Sequence, residues 1–195
     1  MKTKRPWIIA VSVLLANGVH GQFVYDQQSS DESNLGGGAS DIQSGQPMGQ
    51  SFIPALSSVG FVRLYLSDSA LNSMSVTFRL DLRSDSITGP IIGSSDLVTL
   101  SDGFIGAVNF FFSTPPSVTP GTSYYFRPEV ISGGPFSVYA YNSFGYSRGA
   151  AYYNGVAVPG YDLWFREGVV VPEPSSGAIL LLGLCAFAAR KRWSS

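Results

Sequence analysis

The sequence predicts an all-β domain, an antiparallel β-sandwich of jelly-roll type, with a short apolar segment at each end of the chain. Three observations lead there. Apolar and polar residues alternate with a period of two along several segments. Gly, Pro, Ser and Asp cluster between those segments. No window of the roughly 150 central residues carries the period of an amphipathic helix.

At the N-terminus, Met1-Lys2-Thr3-Lys4-Arg5 is basic, and residues 7–16 are apolar except for Ser12. Val19-His20-Gly21 then offers small or modest side chains before Gln22. A basic start, a short apolar run and such a cut define residues 1–21 as a helical secretory signal peptide, too short to be a stable span. Residues 31–47 are polar and rich in Gly and Ser, and are expected to form a loop.

Strands follow. Val62, Leu64 and Leu66 alternate with Phe61, Arg63 and Tyr65. Met74, Val76, Phe78, Leu80 and Leu82 alternate with Ser75, Thr77, Arg79, Asp81 and Arg83, one face buried and one solvated. Further β-rich runs are 50–53, 97–100, 106–113, 123–131, 136–141, 150–153 and 161–166. Turn chemistry separates them at 84–90, Thr114-Pro115-Pro116, Thr119-Pro120-Gly121 and Ser132-Gly133-Gly134-Pro135. Nine or ten short strands at this spacing make a two-sheet sandwich over residues 22–170.

Composition excludes most chemistry. The one cysteine, Cys185, and the one histidine, His20, lie outside 22–170, as do Lys2, Lys4 and Lys191. A Ser–His–Asp or Cys–His arrangement, a His-containing zinc site and a Schiff-base lysine therefore cannot be assembled. Arg63, Arg79, Arg83, Arg127, Arg148 and Arg166 stand against twelve acidic residues, a formal charge near −6. Nucleic acid is not an expected partner for such a surface. A carboxylate pair acting on glycans, with Asp81 or Glu129 as one member, survives as an enzymatic alternative. The leading expectation is a protein that is not an enzyme and holds no cofactor, a structural calcium ion apart.

The C-terminus carries the most specific signal. Val171-Pro172-Glu173-Pro174 precedes an uncharged run that ends at Ala189, and Arg190-Lys191-Arg192 follow. The prolines favour an extended, accessible backbone. Residues 177–189 form a helix of roughly 20 Å, short against a hydrocarbon core of about 30 Å but lengthened by snorkelling Arg190 and Lys191. The basic cluster stays cytoplasmic by the positive-inside rule, leaving the rest of the chain outside.

This triplet, apolar helix and basic cluster over 171–195 resemble the PEP-CTERM sorting signal. The resemblance implies exosortase, an integral-membrane cysteine transpeptidase or protease, as partner, with Val171, Pro172, Glu173 and Pro174 as the sorting motif. It implies a surface, envelope or exopolysaccharide location, with the membrane holding the helix before processing. A plain C-terminal membrane anchor is the alternative.

The central domain is also similar to β-sandwiches common in exported proteins with this tail. Val24-Tyr25-Asp26-Gln27, Gly49-Gln50-Ser51-Phe52, Gly149-Ala150-Ala151-Tyr152-Tyr153 and Asp162-Leu163 carry that likeness. Those domains look like carbohydrate-binding jelly rolls, which implies a fold more than an activity. Tyr139 and Tyr141 share a strand face and Trp164 lies between Asp162 and Arg166, so these three rings are candidate glycan contacts. Strands also use aromatics simply as filler. Asp26 and Asp162, on first and last strands, are candidate calcium ligands, or backbone-capping turn residues.

Overall fold

The computed structural model describes residues 21–30, 32–33, 38–70, 72–141 and 145–172. Fourteen strands occur among them: β1 (Gly21–Gln28), β2 (Ala39–Asp41), β3 (Gly49–Phe52), β4 (Phe61–Asp68), β5 (Val76–Arg83), β6 (Ile91–Ser94), β7 (Val98–Leu100), β8 (Ile105–Phe111), β9 (Tyr124–Ser132), β10 (Phe136–Tyr141), β11 (Ala151–Tyr153), β12 (Val156–Val158), β13 (Asp162–Leu163) and β14 (Phe165–Pro172). The chain divides into two units, of which Phe23–Val170 is the folded sandwich.

One sheet runs β1-β14-β4-β10-β13, with β2 also on β10 and β8 on β4; the other runs β12-β11-β3-β9-β5-β6, with β7 on β5. The described pairings are antiparallel. Period two decides which side chains meet between them. Val62, Leu64 and Leu66 of β4 and Phe78, Leu80 and Leu82 of β5 are all fully buried in one apolar cluster. Across the interface Phe126 lies 5.2 Å from Phe165 and Phe78 lies 5.1 Å from Phe136, centroid to centroid. Each such side chain contributes roughly 1.5–3 kcal/mol by leaving water. Where strands come closest, only glycine fits: a Cβ on Gly49 would stand 2.1 Å from the Phe126 carbonyl oxygen.

Three sequence expectations change. Residues 39–41 of the expected 31–47 loop are β2, paired with Ser137, Val138 and Tyr139, and Ile42 behind it is fully buried. Three residues are too few to show a period. The strand expected from Met74 begins at Val76 instead, and Met74 is 54% exposed. Ser73 takes a φ of 61°, and both it and Asn72 donate their backbone N–H to Asp102 Oδ1, so a turn holds the chain off the sheet there. The extra strands β6 and β12 are again short and mostly exposed, with no alternation to read. Apart from Gly21, the signal-peptide helix of 1–21 lies outside the described residues, as does the transmembrane helix of 177–189. No helix of the described residues is long and apolar enough to cross a membrane.

Candidate functional site

The outer face of the first sheet holds the aromatic row. Tyr65 alternates with core Leu64 and Leu66, so its ring lies on the side away from the core, 4.8 Å from Tyr139 and 5.7 Å from Trp164. Tyr139 is half-buried and Tyr141 is 36% exposed, both on this face. Trp164 is fully buried, which corrects its assignment as a glycan contact. A sugar cannot stack on a ring that nothing reaches. Along the same face, Arg166 lies 3.5 Å above the centre of the Tyr25 ring, and Glu32 pairs with both Arg166 (2.8 Å) and Arg63 (3.0 Å). With Glu32 44% exposed, each pair contributes under about 1 kcal/mol.

Asp26 and Asp162 are held by N–H donors. Asp162, almost fully buried, accepts from Gln50 Nε2 and from the Tyr146 backbone, each at 2.8 Å. Burial raises its pKa while those two bonds oppose the rise. Asp26 Oδ2 accepts from the Ala55 and Leu56 backbones at 2.7 and 2.9 Å, and Oδ1 accepts from Gln27 Nε2. Among the described residues, no group of three or more His, Cys, Asp or Glu is placed to hold a metal ion.

Beside Asp26 stands a residue that the sequence did not single out. Glu167 of β14 pairs with Val62 in register and is fully buried. As a carboxylate, it has no well-aligned donor for either oxygen among the described residues. Burial first, then the Asp26 charge and the hydrogen bond between the two carboxyls, push its pKa up to about 9. At neutral pH it is an acid, able to donate to Asp26.

The outer face of the second sheet is charged. Arg79, Asp81 and Arg83 alternate along β5, and the register sets Arg79 opposite Glu129 and Asp81 opposite Arg127 on β9. Asp81, fully buried, accepts from Arg79 Nε (3.1 Å), Arg83 Nη2 (3.1 Å) and Ser94 Oγ (2.7 Å). Glu129 pairs with Arg79 (3.2 Å), Arg83 (3.7 Å) and Arg127. Asp81 and Glu129 are thus bridged by two guanidiniums, those of Arg79 and Arg83. A glycosidase acid needs access to the substrate oxygen; burial denies Asp81 that access, and arginines hold both carboxyls.

Next to this network, Arg127, Glu129 and Val130 form one wall of a pocket of about 410 Å³, closed by Ile42, Gln43, Gln46 and Pro47. Gln46 is fixed by donating to the Pro128 carbonyl at 2.8 Å and accepting from the Met48 backbone at 3.3 Å. Sequence alternation marked Arg79, Asp81 and Arg83 as one polar row. It carried no sign of the partners on β9, some 50 residues later, or of the 42–47 wall.

β14 leads directly into the sorting motif. Val170 and Val171 are 39% and 44% exposed, and Val171 and Pro172 are extended. Glu173, Pro174 and the basic cluster Arg190, Lys191 and Arg192 lie outside the described residues. Residues 170–192 match the PEP-CTERM protein-sorting motif. The chain is therefore an exported protein directed to the cell envelope, with exosortase as its sorting partner. No curated protein matches the chain.

Proposed function

We propose that this protein is a non-enzymatic structural or adhesive component of the cell surface or its exopolysaccharide, with a jelly-roll-like ectodomain that binds glycan. The observation that carries this reading is the sorting match at 170–192, which begins within the last strand of the sandwich. The signal peptide at 1–21 takes the chain out. Helix 177–189 and the basic cluster hold Pro172-Glu173-Pro174 at the membrane face, where exosortase acts on it. Strand neighbours far apart in sequence, such as β14 with β4 and β3 with β9, support the jelly-roll assignment. Arginine-locked Asp81 and Glu129 weigh against the carboxylate-pair enzyme.

Intact-mass spectrometry of the protein from its own cells, fractionated into membrane, surface and medium, tests the reading. The expected C-terminus lies near Pro172 to Pro174, with an added mass if the chain is transferred to another molecule. A chain ending at Ser195 in the membrane fraction would leave 177–189 as a plain anchor and remove exosortase from the account.

A further inference from the structure

We propose that the pocket between β9 and the 42–47 segment binds a carboxylated sugar unit of an acidic polysaccharide. The proposal rests on the glycan-binding part of the reading above and gives it a site and a ligand class.

Size, lining and charge each bear on the ligand. A volume of about 410 Å³ lies within the range of roughly 300–1,000 Å³ usual for small-molecule sites. Pro47 and Val130 offer a short apolar surface for the C–H face of a sugar ring. Around them stand the amides of Gln43 and Gln46 and the Glu129 carboxylate, groups that exchange hydrogen bonds with hydroxyls. Gln43 is held at the rim by accepting from the Phe136 backbone at 3.2 Å.

Charge selects among sugars. Among the described residues, Arg79, Arg83 and Arg127 form ion pairs only with Asp81 and Glu129, so the network keeps one net positive charge on a domain that is acidic as a whole. Arg127 gives one terminal nitrogen to Glu129, and its guanidinium also lines the pocket. The donor surplus calls for one more anion, and a planar carboxylate matches the guanidinium fork. A neutral sugar would leave that charge uncompensated.

The test uses the full-length chain in mild detergent, passed over immobilised polygalacturonate at about 0.15 M salt, where long-range charge attraction is screened. Wild type is expected to be retained there, and not on the same polymer with its carboxyls reduced to alcohols. Losing a charged hydrogen bond, Arg127→Gln is expected to weaken retention roughly ten- to hundred-fold. The rim variant Gln43→Ala, which leaves the ion pairs in place, should weaken it several-fold, and the exposed Arg148→Gln should not change it.

Equal loss in Arg148→Gln, or unchanged retention in Gln43→Ala, would reduce the effect to bulk charge and overturn the site. Equal retention on the reduced polymer would overturn the carboxylate, and equal displacement by polyglutamate would reassign the pocket to acidic peptides. No retention at all would overturn the pocket as a glycan site. The C-terminal mass is read separately, so a processed tail with no retention leaves the sorting reading standing.

Discussion

Replacing Glu167 by Gln is expected to stabilise the folded domain at neutral and alkaline pH, with the gain growing as pH rises. The reason is proton linkage. In the unfolded chain Glu167 titrates near 4.5, whereas in the fold burial and the Asp26 charge hold its pKa at about 9. Below 4.5 both states carry the proton and pH has no effect through this group. Between those values the unfolded chain releases a proton that the fold retains, so stability falls as pH rises. At about 1.4 kcal/mol per unit, pH 7.5 lies three units above the ordinary value of 4.5, which sets a ceiling of roughly 4 kcal/mol.

Gln keeps the shape and a donor toward Asp26 but has no proton to lose. Denaturant midpoints at pH 5, 7 and 9 check this. The two proteins should nearly coincide at pH 5 and diverge above it, Glu167→Gln remaining the flatter. Asp162, whose pKa burial also raises, adds a slope of the same sign to both. Parallel profiles would mean that Glu167 is not the titrating group. A variant weaker at every pH, with wild type stabilised by added calcium, would mean that Asp26 and Glu167 jointly hold a cation.

Glu167 also shows where sequence reading runs out. Along β14 it is one acid in Phe165-Arg166-Glu167-Gly168, and alternation with Arg166 puts it on the core side with Phe165. That pattern says which way the side chain points. It does not say that Asp26, over 130 residues earlier, comes to stand beside it. The same limit applies to the charged face. The polar row of β5 was legible from period two, but its pairing with Arg127 and Glu129 depends on the β5–β9 register, set by the global fold. The sorting motif was the most legible site because it is linear: it is a run of consecutive residues, so no tertiary partner is needed to recognise it. The sandwich was legible because both sheets bury one face, and period two is the direct trace of that burial. β2, β6 and β12 left no such trace because each has only three or four residues.

Trp164 brings the second large effect, and it tests the glycan assignment from the other side. Period two placed Trp164 with Asp162 and Arg166, and a row flanked by charges reads as solvated. Yet Asp162 is itself buried, 3% exposed, and Trp164 is fully buried against Tyr65. Alternation identifies a face, not whether something covers it. Trp164→Ala is therefore expected to cost about 3–5 kcal/mol, as for other large-to-small changes at buried aromatic positions. Tyr141→Ala, at an exposed strand end, is expected to cost less than about 1 kcal/mol. Thermal and denaturant unfolding measure both. The same two proteins, assayed under conditions where each is folded, should be retained on polygalacturonate like wild type. If instead Trp164→Ala keeps its stability and loses retention, the ring is open to ligand in solution. The aromatic row, not the Arg127 pocket, would then be the sugar-binding face.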